Sequence, residues 1–345
     1  MSFVHPTRSL VALAAAGLMA AAAPAGAASF TSLTVFGDSL SDSGNNASIG
    51  LFDPGQVVLG NWYVPSNTFA PAGTYSNGPV WASIFASRIG LTLAHSFAGG
   101  TNFAAGGATT GIDGGAVLPS PPFPAGLPTY PFSLASQTAL YLAATGGFAD
   151  PNGLYVVAGG GNNARAALTD PGMASDPFGT AAAYAMSFAA DVSGIVDSLQ
   201  AAGAKHIVVW NAPNLALAPA VTFQGAAAMG AASLVTQSMN VALGQALAGE
   251  AGVKIFDLFG SLSDPAAFGS FANTTDACGA KLATDPSTDC SQYVFWDGIH
   301  PTTAAHAVLA GQMAAAVPEP EAYALMALGL VAVGFAARRR QRPKA

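Results

Sequence analysis

The sequence predicts an α/β fold built on a mainly parallel sheet. Short apolar runs near 32–36, 91–95, 154–158, 206–211 and 253–258 read as five strands. Helix-like stretches at 79–89, 133–145, 178–202, 222–248 and 302–316 fall between or after them. Alternation of this kind implies βαβ units whose crossovers keep the strands parallel. Gly and Asn clusters also stand where the first three runs stop. Parallel sheets carry their sites at those carboxyl ends.

Composition sets the ends of the chain apart. Of 345 residues, 51% are hydrophobic and only 8% charged. Arg8, an apolar run from Leu10 to Ala23 and the small residues Pro24-Ala25-Gly26-Ala27 describe a secretory signal peptide over 1–27, cut near Ala27 or Ala28. At the other end Val317-Pro318-Glu319-Pro320 precedes an apolar run, Ala322 to Ala337, and then Arg338-Arg339-Arg340. As a helix that run spans about 24 Å, short of a hydrocarbon core of roughly 30 Å. Basic residues after it suit a cytoplasmic end. This tail, 318–345, resembles the PEP-CTERM sorting signal of Gram-negative bacteria. The resemblance implies an exosortase partner, transient inner-membrane insertion of a precursor, and export to the cell surface or matrix. A plain single-span anchor is the alternative.

The remaining segment, 28–317, is long enough for one large α/β domain. Its basic residues are Arg88, Arg165, Lys205, Lys254 and Lys281, against sixteen acidic ones. That balance argues against nucleic acid, whose phosphates need a basic face. Cys278 and Cys290 are the only cysteines, and an even pair in an exported chain is most simply a disulfide. No CxxC pattern or nearby histidine pair points to zinc.

Taken in order, the first run (Leu33, Val35, Phe36) stops at Gly37, and Asp38 and Ser39 follow at once. Glycine permits the tight turn there. A serine just past a strand end can expose its hydroxyl and keep its own N–H free, as a nucleophile needs. A polar turn is the plainer reading of the same residues. Residues 47–78 are rich in Gly, Pro, Asn and aromatics and read as a long functional loop. The prolines of 111–131 exclude regular helix or central strand. Gly99-Gly100-Thr101-Asn102 through Gly106-Gly107-Ala108 follows the second run, and Gly159-Gly160-Gly161-Asn162-Asn163 follows the third. Either cluster can offer N–H groups to an anion, and Asn162 can add a side-chain amide. No Lys follows the glycines, so neither is a P-loop. Residues 261–296 are polar and hold both cysteines.

Of the histidines, His5 leaves with the leader, and His95 and His206 read as structural. His306 lies in the last helix, facing solvent or core. His300 sits in Trp296-Asp297-Gly298-Ile299-His300-Pro301-Thr302, where Pro301 is suited to start the following helix. Asp297 can turn back and accept from the imidazole. A serine nucleophile needs such a base and orienting group.

Together these segments resemble the GDSL/SGNH hydrolase family, in block order along nearly the whole of 28–317. GDSLSDSGN resembles the first block, YSNGPVW a segment of its longer members, TNFAAGGA the second, GGGNN the third and WDGIHPT the last. The third block usually reads Asn-Asp, and here Asn163 replaces the acid, so loop hydrogen bonding should change. The resemblance implies a three-layer α/β/α sandwich with a flavodoxin-like, mainly parallel five-stranded sheet. It implies Ser39 as nucleophile and His300 as base, with Asp297 orienting that base. It places the oxyanion hole at the N–H groups of Ser39 and Gly107 (or Gly106) and the amide of Asn162. It implies no metal or cofactor. The expected substrate is an acyl ester of a lipid. The rivals are a carbohydrate esterase acting on acetylated exopolysaccharide and a non-catalytic matrix or adhesion protein.

Overall fold

The computed structural model describes residues 30–49, 73–118, 125–282 and 284–317. The expected leader, the apolar tail and most of the 47–78 loop lie outside them. Four parallel strands form the sheet in the order β1 (Leu33–Gly37), β2 (Leu154–Ala158), β3 (His206–Trp210), β4 (Val253–Phe256). Register runs straight across, Gly37 beside Ala158 and Ala158 beside Trp210, so the carboxyl ends align. The main helices are α1 (Trp81–Arg88), α2 (Leu134–Ala144), α3 (Gly161–Thr169), α4 (Pro177–Ala201), α5 (Ala226–Ala246) and α6 (Thr303–Ala316).

The strands are apolar on both faces because helices cover both. Side chains alternate along a strand. Phe36, Tyr155, Val157, Ile207 and Val209 enter a core shared with α2, α4 and α5. Leu33, Val35, Leu154, Val156, Val208 and Trp210 enter a second core with α1 and α6. This is the α/β/α sandwich that the family resemblance implies.

Several boundaries differ from expectation. Residues 91–95 are not a sheet strand. Leu91 and Leu93 pack, half-buried, beside α1's core. The place next to β1 is taken instead by 101–103. There the Val35 N–H donates to the Thr101 carbonyl at 3.0 Å and the Phe103 N–H to the Val35 carbonyl at 2.8 Å. The fifth position is thus an irregular ladder rather than a regular strand. It flanks β1 opposite β2, so strand order reverses at β1, where open α/β sheets bind ligands. The helix expected over 222–248 is α5, which starts at Ala226; a separate short helix, Pro219–Thr222, precedes it, and Gly225 with φ 91° parts the two. Only glycine takes that conformation cheaply. Strand β4 ends at Phe256 because Asp257 caps the helical turn Leu258–Ser263, accepting from the Gly260 N–H at 2.8 Å. In the GGGNN cluster Gly160 is the N-cap of α3, and Gly161, Asn162 and Asn163 open the helix.

Two short parallel strands, β5 (Asn273–Ala277) and β6 (Tyr293–Phe295), form a separate ribbon. Cys278 and Cys290 are joined as a disulfide beside it. No helix among the described residues is long and apolar enough to cross a membrane. No metal-ligating cluster occurs among them either.

Candidate active site

Ser39 lies two residues past the end of β1, in a tight turn. The N–H groups of Ser41 and Asp42 both donate to the Asp38 carbonyl at 3.0 Å, and Leu40 N–H donates to the Asp38 carboxylate at 3.0 Å. Gly37 makes the turn possible, since a Cβ there would meet the Ala158 carbonyl oxygen at 2.8 Å. Buried Gln137 on α2 fixes Gly37 from both sides: its amide oxygen accepts from the Gly37 N–H at 2.8 Å and its nitrogen donates to the Gly37 carbonyl at 2.9 Å.

His300 and Asp297 arrive on the loop between β6 and α6. The Trp296 N–H donates to the His300 carbonyl at 2.7 Å, closing that loop. Thr302 is the N-cap of α6, accepting from the Ala305 N–H at 3.2 Å. Pro301 therefore precedes the cap rather than starting the helix. Asn77 and Ser76 brace this junction: the Thr303 N–H donates to Asn77 Oδ1 at 2.7 Å and Ser76 Oγ to the Pro301 carbonyl at 2.8 Å. Asp297 Oδ1 accepts from the N–H groups of Ile299 and His300 at 2.8 and 2.7 Å, leaving Oδ2 for the imidazole.

The three side chains meet in one line. His300 Nδ1 lies 2.7 Å from Asp297 Oδ2, and Nε2 lies 2.8 Å from Ser39 Oγ. A carboxylate accepts only, so Nδ1 carries the proton and Nε2 is left to accept from the serine hydroxyl. His300 is 2% exposed, Ser39 6% and the Asp297 side chain 18%.

Ser39, Asn162 and His300 line one open cleft of about 600 Å³. Its walls include Leu215, Ala218, Leu258, Leu262, Ile299 and Leu309, with Arg165 as the basic group. Asn162, in the first turn of α3, donates from Nδ2 to the Ala108 carbonyl at 2.9 Å, and its Oδ1 accepts from Arg165 at 3.3 Å. An amide nitrogen has two hydrogens, so one remains to point elsewhere. Gly106 and Gly107 are not among the lining residues. The Gly106 N–H is already shared between Asp42 Oδ2 at 3.0 Å and Asn46 Oδ1 at 3.1 Å, which removes Gly106 as an anion donor. Gly107, at φ 87°, donates its N–H to no acceptor among the described residues.

Asn163 explains the missing acid of its block. Its Oδ1 accepts from the Thr110 N–H at 3.1 Å while Nδ2 donates to Thr110 Oγ1 at 2.8 Å, which an aspartate cannot do. Thr110 Oγ1 then donates to Asp191 on α4 at 2.7 Å. The carboxylate comes from another helix.

Two buried acids have raised pKa values. Burial pushes Asp38 up to about 6, opposed by the Leu40 N–H and by His300. Burial likewise pushes Asp42 up to about 6, opposed by several backbone N–H groups. The sequence contains Asp42, Asn46, Tyr75, Gln137 and Arg165 but gives them no role. The signal for the first two was the dense polar stretch after β1, interrupted only by Leu40 and Gly44, in which Ser41, Asp42, Asn45 and Asn46 are all buried.

A GDSL-like lipase/acylhydrolase family profile matches residues 33–313, and the chain belongs to that family. A PEP-CTERM protein-sorting motif matches 316–340. Lipase 1 of Photorhabdus luminescens is 31% identical over 192 residues, 56% of this chain and 24% of that protein. An uncharacterized protein in the trpE-trpG intergenic region of Pseudomonas putida is 29% identical over 320 residues, 87% of this chain and 50% of that protein. The chain thus spans half or less of these two relatives' lengths.

Proposed function

We propose that this protein is an exported serine ester hydrolase acting on acyl esters. The continuous line Ser39–His300–Asp297 at the wall of an apolar cleft carries the reading. His300 Nε2 takes the Ser39 proton as Oγ attacks the ester carbonyl carbon. Asp297 holds the imidazole and stabilises its charged form. The oxyanion is received by the Ser39 and Gly107 N–H groups and by Asn162 Nδ2; each such donor contributes about 100–1000-fold in rate. Collapse expels the alkoxide, which His300 protonates. Water, deprotonated by the same imidazole, then releases the acid from Ser39.

The leucine-rich wall favours a hydrocarbon acyl chain over an acetyl group on a sugar, since burying each CH₂ contributes about 0.8 kcal/mol. Family membership supports the ester chemistry, and the sorting motif supports export, surface delivery and cutting by an exosortase-type enzyme. On this reading 28–317 is the hydrolase domain, 1–27 the leader and 318–345 the removable tail.

A panel of p-nitrophenyl esters with wild type, Ser39→Ala, His300→Ala and Asp297→Asn is the test. The serine and histidine variants lose activity by about 10⁴-fold or more, and Asp297→Asn loses less, because an orienting group is more replaceable than the proton carrier. Rates should rise with acyl length from acetyl. Faster turnover of acetylated sugars than of longer acyl esters would favour the carbohydrate esterase.

A further inference from the structure

Tyr75 lies between the two halves of the site. Its ring stacks on the His300 imidazole, centroids 5.4 Å apart and planes 28° from parallel. Its hydroxyl accepts from Asn46 Nδ2 at 2.5 Å. The same Nδ2 donates to the Gly106 carbonyl at 3.1 Å, while Asn46 Oδ1 accepts from the Gly106 N–H and from the Tyr130 hydroxyl. Asp42 Oδ2 takes the Gly106 N–H as well. Gly106 presses so closely on the ring that a Cβ would lie 2.2 Å from it.

The peptide between Gly106 and Gly107 is planar, so its carbonyl and the Gly107 N–H turn together. Whatever fixes the Gly106 carbonyl also aims the Gly107 N–H. We propose that Tyr75 is a positioning residue that couples the base to the oxyanion loop. Its ring holds the imidazole plane and its hydroxyl, through Asn46, sets the 106–107 peptide. The aromatic face also favours imidazolium, the form His300 takes as Ser39 attacks. This inference rests on the proposed hydrolase reading.

The test separates ring from hydroxyl. Other groups near His300 are Asp297 at Nδ1, Asp38, buried His306 and Arg165 across the cleft. The His300 titration is therefore followed directly, by NMR of isotope-labelled histidine assigned with His300→Ala. Tyr75→Phe keeps the ring and should lower kcat about ten-fold at near-constant KM, with the His300 midpoint unmoved. Tyr75→Leu should lower kcat further and move that midpoint down by about half a pH unit. Wild-type kcat in Tyr75→Phe, or equal losses in both variants with an unmoved midpoint, would overturn the coupling role. If the leucine variant fails to fold, the phenylalanine variant decides alone. An inert wild type, or an active Ser39→Ala, would instead sink the hydrolase reading, and the midpoint comparison would still judge the contact with His300.

Discussion

His306 shows how a single residue sets the response to acid. It is buried on α6, and among the described residues neither ring nitrogen has a hydrogen-bond partner. Burial, then the nearby His300, pushes it down to about 3. The unfolded chain binds the proton near 6.5, so the contribution of His306 to stability is present above that value and is lost as pH falls toward 3. By pH 5 the loss is about 2 kcal/mol. Asp38 and Asp42 act with opposite sign. Their raised folded pKa values favour the folded state below about 4 and lose that effect as pH rises through 6. Comparing wild type with His306→Leu cancels the aspartates. The urea midpoint of the leucine variant should fall less between pH 7.5 and pH 5, and equal falls would assign acid sensitivity elsewhere. The sequence left His306 between core and solvent because one histidine in an alanine-rich helix carries no facing signal. His300 was readable because Asp297 stands three residues before it.

At the scale of elements, the disulfide and the β5–β6 ribbon brace the loop that delivers Asp297. Cys278 opens the segment whose Gly279 N–H donates to the Trp296 carbonyl at 2.8 Å, one residue from Asp297. The bridge closes a separation of 12 residues. Its loss should cost about 3 kcal/mol in the chain-entropy account. Cys278→Ser/Cys290→Ser should melt lower than wild type and lose kcat through a looser Asp297 loop; an unchanged melting curve and unchanged kcat would deny the brace. Strands β1 to β3 and helices α1, α2, α4, α5 and α6 were visible as apolar runs and alanine-rich stretches. The pairing of 101–103 with β1 was not. That ladder is set by backbone bonds from Val35 and by Asn102, whose Nδ2 reaches the Ser41 carbonyl at 2.8 Å, across a long separation in sequence. Leu91 and Leu93 imitate a strand by alternation alone. The first turn of α3 was hidden because Gly and Asn are turn residues by composition, while Gly160 at φ 115° starts the helix.

For the whole molecule, the ends and the catalytic core make separate claims. The match to a sorting motif over 316–340 predicts that the exported protein lacks the apolar segment after Pro320, and the leader-like 1–27 predicts a start near Ala28. Peptide mass spectrometry of the surface fraction checks both; peptides from Ala322–Ala337 in that pool would contradict tail removal. The α/β class and the mainly parallel sheet were readable because strand and helix periods alternate along 28–317, while the three-layer sandwich followed from the resemblance of the motif blocks. The polar network that joins Asp42, Asn46, Tyr75 and Gly106 was not, since it exists only after β1, the 101–107 segment and the 73–78 segment come together. The central claim is that Ser39 is the nucleophile. A fluorophosphonate probe tests it most directly, with intact mass and peptide mapping of the folded wild type beside Ser39→Ala. One adduct on the peptide holding Ser39, absent from the alanine variant, is the result expected. An unlabelled wild type, or equal labelling of the variant, would contradict it.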